Sequence, residues 1–338
     1  TATGAGVHAY IIDSGLNAND EFAGRGGNGA YHPSVGSDAS DENGHGTHVT
    51  GTIGSNRYGM APGVIVHPVR VFDETGSGMT SITIAGINWV AANAPARSVV
   101  NLSLGGSFST ATNSAVAGLV AQGLAVIVAA GNDGKYACNY SPASEPSVLT
   151  VGATDSDDFD ADFSNYGSCL DLYAPGVGIL STNYLGGSGV LKDGTSMAAP
   201  HVAGAAALYW ELHPEASGAG VHGAVLSQAT TGEIYYPWGQ ADSPNVLLNV
   251  QWPPTTPPGP PGGVTASAQN GAATVSWIPP SSDGGTPITN YSVVTSTGQP
   301  GCDAGLATSC VVQGLSNGTP YQFAVVAQNG RGSSALSA

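Results

Sequence analysis

Short apolar runs alternate with longer mixed segments through the first 250 residues, and each run is closed by Gly, Asp or Asn. The runs lie at 7–12, 64–71, 99–104 and 124–130, and helix-length segments lie at 80–92 and 113–122. This alternation predicts an α/β fold in which a parallel sheet has helices on both faces. Functional groups in such sheets stand at the carboxyl ends of strands, and Asp13 and Asn132 both lie just past apolar runs.

The pattern changes after residue 250. Residues 251–261 contain six prolines, which favour extended polyproline II and therefore predict a semi-rigid linker. Beyond it, short alternating strands are predicted at 273–277, 290–295, 309–312 and 321–327, separated by turns rich in Gly and Pro. The sequence therefore predicts an α/β domain over 1–250 and a small all-β sandwich over 262–338.

The charge balance limits the kinds of partner. The chain has 7 Lys and Arg against 23 Asp and Glu, a formal net charge of −16. This argues against nucleic acid or an anionic membrane surface as a partner, because both require basic patches. No run of about 18 apolar residues occurs, so no membrane span is predicted. The chain also begins without Met or a signal peptide, and we expect a processed form or a fragment.

Three segments carry the residue types of nucleophilic catalysis. They are Ile-Ile-Asp-Ser-Gly at 11–15, Gly-His-Gly-Thr-His-Val-Thr-Gly at 44–51 and Gly-Thr-Ser-Met-Ala-Ala-Pro-His-Val-Ala-Gly at 194–204. A serine nucleophile needs a base to take its proton and a carboxylate to orient that base, and Asp13, His45 and Ser196 supply these parts. Each segment alone is typical of a turn, a loop or a helix N-cap. Their occurrence together, in this order, favours a catalytic triad.

Residues 1–250 resemble the subtilisin-like serine peptidases, most closely the proteinase K subgroup, through these segments and through 79–90, 99–106, 129–132 and 140–167. The resemblance implies a serine endopeptidase in which Asp13 orients the base, His45 is the general base and acid, and Ser196 is the nucleophile. It also implies that the side-chain amide of Asn132 stabilises the oxyanion together with the backbone amide of Ser196. Considered alone, Asn132 would fit a turn position with positive φ.

The resemblance also implies a substrate cleft for protein or peptide substrates. Two segments would pair with an extended peptide as strand edges, although ordinary turns are the alternative, and a third segment would line the first pocket. The edge residues are Gly76, Ser77 and Gly78 on one side and Ser103, Leu104 and Gly105 on the other, and the pocket residues are Ala129, Ala130 and Gly131. Because the pocket residues are small and uncharged, we expect broad specificity with a preference for bulky apolar residues.

A structural calcium site is implied by the same resemblance. Its ligands would be the carbonyls of Pro146 and Val148 and the carboxylate of Asp171, oxygen donors of the kind that Ca²⁺ prefers. An acidic run raises a second possibility, a cation-binding loop, although a solvated surface loop is favoured; it comprises Asp155, Asp157, Asp158, Asp160 and Asp162. His48 lies three residues after His45, and helix packing explains it better than a metal pair that has no third ligand.

Glu42 and Glu74 occupy positions where the most similar relatives have two disulfide-bonded cysteines. Two facing carboxylates would share a proton or a bound cation. The alternative, which is favoured, is that both side chains point into water.

The cysteines indicate an oxidising compartment. The resemblance implies a disulfide between Cys138 and Cys169, and Cys302 and Cys310 flank a short loop that a local bridge could close. Thiols that pair within domains suit a secreted, extracellular protein. We expect a monomer, and we expect that the pro-segment that the family needs for folding is absent from the chain.

Residues 262–338 resemble a fibronectin type III module. Trp277 is the expected core tryptophan, and Leu315 with Tyr321 resembles the tyrosine corner of these sandwiches. The chain ends where the last strand of such a module is expected to form. The ligand of this domain is not indicated by its sequence.

Overall fold

The computed structural model describes residues 2–237, 240, 242–250, 256–285, 287–295 and 301–337. The chain divides into two compact units, Thr1–Gln251 and Trp252–Ala338. Residues 251–255 of the predicted linker lie outside the described residues. The linker residues from 256 onward are hydrogen-bonded to the second unit. Thr256 N donates to Gly284 O (2.8 Å), and Gly259 N donates to Ser282 O (2.9 Å).

The first unit is built from helices and mostly short strands. Its α-helices are α1 (His45–Gly54), α2 (Thr80–Asn93), α3 (Thr110–Ala121), α4 (Thr195–Leu212) and α5 (Gly218–Gln228). Its strands are β1 (His8–Asp13), β2 (Ala30–Tyr31), β3 (Ile65–Arg70), β4 (Ser98–Leu102), β5 (Gly106–Ser107), β6 (Ala125–Ala129), β7 (Tyr140–Ser141), β8 (Leu149–Thr154), β9 (Leu172–Pro175), β10 (Ile179–Ser181), β11 (Val190–Lys192), β12 (Thr230–Thr231) and β13 (Val246–Leu247).

One large sheet organises this unit, in the order β12-β13-β9-β8-β6-β4-β1-β3-β2. All neighbours in it are parallel except β12 and β13. The central strands β4, β6 and β8 are buried along their whole length, which explains their continuous apolar sequences.

Helices cover both faces of the sheet. On one face, Ile87 of α2 and Leu119 of α3 pack in one core with strand residues such as Ile12. On the other face, α4 packs against α1, α5 and the central strands. Helix α3 starts at Thr110, earlier than the predicted 113, because the side chain of Ser109 caps it by accepting from Thr112 N (3.2 Å). The predicted α/β class is confirmed.

The second unit is a small antiparallel sandwich around Trp277. One sheet contains β14 (Gly262–Gln269), β15 (Ala272–Ile278) and β18 (Ser309–Gln313); the other contains β16 (Ile288–Thr295), β17 (Cys302–Gly305), β19 (Phe323–Asn329) and β20 (Gly332–Ser333). Val275, Trp277, Tyr291 and Val325 pack together between them. Tyr321 Oη accepts from Ser316 N (3.0 Å), the hydrogen bond of the predicted tyrosine corner.

Both expected disulfides are present. Cys138 is bonded to Cys169 in the first unit, and Cys302 to Cys310 in the second.

Candidate active site

Asp13 and His45 meet at the carboxyl edge of the large sheet. Asp13 is the last residue of β1, and His45 is the first residue of α1. The Asp13 carboxylate is fully buried, and its Oδ1 lies 2.7 Å from His45 Nδ1. Oδ1 also accepts from Ser14 N at 2.7 Å. A buried carboxylate at Nδ1 fixes the imidazole tautomer so that Nε2 faces outward as the acceptor.

The electrostatic environment of His45 follows from this pair. Burial alone would lower the pKa of His45, but the charge of Asp13 and its hydrogen bond raise the pKa above the ordinary value. His45 is therefore a stronger base than an isolated imidazole, and it loses its proton at a higher pH.

Asp41, to which the sequence analysis gave no role, joins the segment of Asp13 to the segment of His45. Its buried carboxylate accepts from Ser14 Oγ (2.9 Å), Gly44 N (2.8 Å) and Thr47 N (2.8 Å) and Oγ1 (2.7 Å). Burial alone would raise its pKa, but the hydrogen bonds from Gly44 and Thr47 hold the pKa below its ordinary value. Asp41 thus ties the first turn of α1 to the residue that follows Asp13.

Ser196 is the second residue of α4, after Gly194 as the N-cap. Its backbone amide lies in the first helical turn, where amides have no intrahelical acceptor and the helix dipole favours negative charge. Its carbonyl would normally accept from residue 200, but Pro200 has no N–H. Ser103 Oγ donates to that carbonyl instead (2.8 Å) and itself accepts from Asn101 Nδ2 (2.9 Å). Ser103 therefore supports the nucleophile segment from strand β4.

The hydroxyl of Ser196 has a different partner from the one that a triad needs during reaction. Ser196 Oγ donates to Ser103 O at 3.0 Å, and the hydrogen bonds of the described residues include none between Ser196 and His45. The structure therefore joins the Asp13–His45 pair directly and places Ser196 on the adjoining helix end.

Asn132 is oriented by Thr195, a second residue whose part sequence analysis missed. Thr195 N and Oγ1 both donate to Asn132 Oδ1 at 2.8 Å, and Gly131 N donates to Thr195 Oγ1 at 3.1 Å. Because Thr195 holds its Oδ1, the side chain of Asn132 places Nδ2 beside Gly194. Gly194 has φ +145°, and a Cβ there would stand 3.3 Å from Asn132 Nδ2, so glycine keeps this side open.

The predicted pocket residues lie together beside Ser196. Their pocket is lined by Leu104, Gly105, Ala129, Ala130, Gly131, Asn132, Asp133, Tyr140, Ala143 and Ser196. Gly131 has φ +105°, and a Cβ there would lie 2.3 Å from Asn165 Nδ2, which itself holds Ala130 O (2.9 Å). Asp133 adds a carboxylate to a lining that the sequence analysis treated as uncharged.

The other predicted edge, Gly76–Ser77–Gly78, is an exposed turn before α2. Asp73 closes it by accepting from Thr75 N (2.9 Å) and Ser77 N (3.0 Å). Asn43 links the turn to the catalytic segment, because its Nδ2 donates to Glu74 O (3.2 Å) and its Oδ1 accepts from His45 N (3.2 Å).

Glu42 has a cationic partner of its own. Its Oε2 accepts from Arg70 Nη2 at 2.6 Å, whereas Glu74 is exposed. Both glutamate side chains are largely exposed, so the alternative in which they point into water fits the structure better than a shared proton or cation.

Comparisons with known proteins agree with this geometry. Residues 4–251 match the model of the subtilase family. The chain belongs to the subtilase family. Residues 259–338 match the model of the fibronectin type III domain, so the predicted two-domain resemblance is confirmed.

Similar proteins include two that are named as serine proteases. An extracellular serine proteinase from Thermus sp. (strain Rt41A) is 51% identical over 250 residues, 73% of this chain and 60% of that protein. Alkaline serine exoprotease A from Vibrio alginolyticus is 50% identical over 232 residues, 68% of this chain and 43% of that protein. The chain thus spans less than two thirds of either relative.

A solved structure, described as that of a cold adapted subtilisin-like serine proteinase, superposes with a TM-score of 0.71 at 46% sequence identity. The match covers 75% of this chain and 92% of that chain. Within the described part of our chain, the helices are too short or too polar to cross a membrane.

His48 packs inside the subtilase domain. It is fully buried, and its Nε2 lies 3.0 Å from the carbonyls of both Ile179 and Val190. Burial lowers its pKa to about 4, so it stays neutral near pH 7. Over the described residues, no group of three or more His, Cys, Asp or Glu side chains is arranged to hold a metal ion.

The predicted calcium ligands occupy neighbouring segments. Pro146 and Val148 precede β8, and Asp171 precedes β9. Thr150 N donates to Asp171 Oδ2 (2.7 Å), and Asp171 N donates back to Thr150 O (3.0 Å). Burial raises the pKa of Asp171 to about 6, although the Thr150 hydrogen bond opposes this.

Proposed function

We propose that this subtilase is a secreted serine endopeptidase that cleaves peptide bonds through an acyl-enzyme. The observation that carries the proposal is the buried Asp13–His45 hydrogen bond of 2.7 Å at one sheet edge. Support comes from Ser196 at the N-terminus of α4 and from Asn132, whose amide is aimed by Thr195. Together they supply a base with its orienting carboxylate, a nucleophile and oxyanion donors.

The proposed reaction begins when Ser196 Oγ leaves Ser103 O and donates to His45 Nε2. His45 takes the proton as Oγ bonds to the substrate carbonyl carbon, and Asp13 stabilises the imidazolium. The oxygen that becomes negative accepts from Asn132 Nδ2 and Ser196 N, donors already fixed before the reaction. The C–N bond then breaks as His45 protonates the leaving amine. Water attacks the acyl-enzyme by the same steps, with His45 again as base.

The pocket beside Ser196 supports a preference for apolar residues at the cleaved bond. Ala129 and Ala130 form its small, buried floor, and Leu104 and Tyr140 add apolar surface. Asp133 at the same pocket would repel acidic side chains through like charge. We propose that Gly105 and the Gly76–Gly78 turn contact the backbone of an extended peptide on its two sides.

Two kinds of observation support secretion. The two disulfides suit an oxidising compartment, and one similar protein is named an extracellular serine proteinase. We also propose a monomer, as expected from the sequence.

The test of this function is active-site labelling followed by substrate profiling. A fluorophosphonate probe, which reacts with activated serines, is expected to label the full chain but not Ser196→Ala. A peptide library digested with the same preparation should show cleavage after bulky apolar residues, few cleavages after Asp or Glu, and products of internal cleavage by mass spectrometry. An unlabelled and inactive wild-type chain would instead indicate a binding protein that has kept only the fold.

We propose one structural Ca²⁺ held by the carbonyls of Pro146 and Val148 and the carboxylate of Asp171. A partly buried carboxylate whose pKa is raised to about 6 by desolvation gains from a nearby cation. Because this folded-state pKa lies above the unfolded value, the free carboxylate costs stability as pH rises through about 4 to 6. Bound Ca²⁺ offsets that cost above pH 6, where Asp171 is ionised.

Removal of Ca²⁺ at pH 8 is therefore expected to lower Tm by about 5–10 °C, the effect of a ligand present at about 100 times its Kd. The measurement is thermal unfolding with Ca²⁺ or EDTA in a Ser196→Ala background, which prevents self-digestion. Asp171→Asn should remove most of the difference, whereas Asp157→Asn, which alters an exposed carboxylate, should keep it. If EDTA shifts Tm equally in Asp171→Asn and wild type, calcium binds elsewhere.

A further inference from the structure

One member of the acidic run lies inside the protein. Asp160 is 2% exposed, whereas Asp157 and Asp162 on either side are exposed. Backbone pairing draws it inward: Asp160 forms an antiparallel bridge with Thr154 at the end of β8, and its N–H donates to Tyr235 O (3.0 Å). The favoured prediction of a solvated loop is therefore wrong at this position.

Several polar atoms around Asp160 are buried and unpartnered. Thr154 Oγ1 and both carboxylate oxygens of Asp160 have no hydrogen-bond partner among the described residues, and Tyr173 Oη lies near the side chains of Ser243 and Tyr236. Thr154 and Tyr173 are completely buried. Three unpartnered oxygens in one region are unusual, because buried polar side-chain atoms are nearly always hydrogen-bonded.

Thr154, Asp160 and Tyr173 project their side chains from the same side of the sheet. Thr154 is opposite Asp160, and residues directly opposite in an antiparallel pair project to the same face. Tyr173 pairs with Gly152, two positions before Thr154, and its ring crosses that glycine, where a Cβ would lie 2.5 Å from Tyr173 Cε1. Burial is the largest cause that raises the pKa of Tyr173, and the charge of Asp160 is the second largest.

The charge of Asp160 is not balanced by a cationic side chain among the described residues. The ion pairs of the described residues include none with Asp160. A buried, unpaired carboxylate is costly, and hydrogen bonding to neutral hydroxyls would not neutralise it. A hard cation among these oxygens would neutralise the charge, because its oxygen ligands lie about 2.3–2.6 Å from the ion and need not hydrogen-bond to each other.

We propose that Asp160, Thr154 and Tyr173 bind one buried monovalent cation of the size of Na⁺. A single carboxylate together with two neutral hydroxyl oxygens gives a total charge of −1, which a monovalent ion neutralises. A divalent ion would leave a net positive charge in the same buried place. The site is separate from the proposed Ca²⁺ ligands and does not depend on the catalytic function.

Protons compete with the ion for Asp160. Burial raises the pKa of this carboxyl to about 7, and the titratable groups facing it, Tyr173 and Tyr236, remain neutral because burial raises their pKa values too. A folded-state pKa above the unfolded one means that the ion-free protein loses stability as pH rises from about 4 to 7. Cation binding is therefore expected to stabilise the protein at pH 8.5 and to have little effect at pH 5.5.

The test is thermal unfolding of the full chain, in a Ser196→Ala background, as Na⁺ replaces tetramethylammonium at constant ionic strength with saturating Ca²⁺. At pH 8.5, Tm should rise by about 3–6 °C for each tenfold increase in Na⁺ once the site is mostly filled. Asp160→Asn should abolish the dependence, and Tyr173→Phe should weaken it. Asp162→Asn is the matched control on the same loop and should retain it.

A crystal of the same protein soaked in Tl⁺, a heavy substitute for monovalent cations, should give an anomalous peak between Asp160, Thr154 and Tyr173. Equal Na⁺ dependence in wild type and Asp160→Asn would overturn the proposal. So would a wild-type Tm that is independent of Na⁺ at pH 8.5, together with stabilisation by Asp160→Asn at that pH. That result would mean that Asp160 is an unpaired acid without an ion. If Asp160→Asn does not fold, the presence or absence of the Tl⁺ peak in the soaked crystal tests the proposal.

Discussion

Ser196→Ala is expected to lower kcat about 10⁶-fold, and His45→Ala by about the same factor, as in the subtilisin series on which this magnitude rests. Ser196 supplies the only proposed nucleophile, and His45 makes it reactive by taking its proton. Since neither residue works without the other, the double variant should be little slower than either single variant. The oxyanion donors and the pocket remain in all three proteins, so residual cleavage above the uncatalysed rate should persist.

The measurement is kcat and KM on a soluble chromogenic peptide with an apolar residue at the cleaved bond. KM should change little, because neither side chain forms the pocket floor of Ala129 and Ala130. Traces of wild-type enzyme would set the lowest activity that can be measured. The cleavage activity of each variant is therefore measured before and after treatment with a fluorophosphonate probe, which inactivates the wild-type enzyme. A double variant whose kcat is several powers of ten below that of either single variant would show that Ser196 and His45 do not act as one unit.

The proposed catalytic residues could be named from sequence because their chemistry is carried by short local motifs. Asp13 is the last residue of β1 and Asn132 lies shortly after β6, and the parallel sheet brings those strand ends to one edge. The disulfides and the sandwich core around Trp277 could also be predicted, from the positions of the cysteines and from the resemblance to known families.

Residues that act through distant hydrogen bonds escaped the sequence analysis. Asp41 accepts from Ser14, 27 positions earlier, and Thr195 holds Asn132 across 63 positions. Ser103 was predicted as a substrate edge, yet its hydroxyl supports the Ser196 carbonyl that Pro200 leaves without a helical donor. A proline four residues after a helical serine is a signal in the sequence, but its partner is identified only by the fold.

The acidic run shows why composition alone misleads. Asp157 and Asp160 belong to the same hydrophilic stretch, and their side-chain chemistry is identical. Pairing of Asp160 with Thr154 and Tyr235 buries one carboxylate and leaves the other in water. Burial of a polar residue by long-range backbone pairing has no periodicity that a sequence pattern can reveal.

Asp13→Asn is expected to lower kcat about 10⁴-fold near pH 7, the loss seen when the orienting aspartate of a serine protease triad becomes asparagine. The carboxylate accepts a hydrogen bond from His45 Nδ1, whereas an asparagine amide can donate to it. Donation would place the imidazole proton on Nε2, which could then no longer take the proton of Ser196. The variant keeps nearly the same shape, so the loss should appear in kcat far more than in KM.

The pH profile separates this role of Asp13 from simple damage to the fold. His45 must be neutral to act as base, and Asp13 raises its pKa, so the acid limb of kcat/KM in wild type should lie above about 6.5. In Asp13→Asn the charge is gone while the burial that lowers the pKa of His45 remains, so the limb should move to lower pH. Asp157→Asn, which removes an exposed charge, should leave the limb in place. An acid limb that stays at the wild-type pH in Asp13→Asn would show that another group sets the basicity of His45.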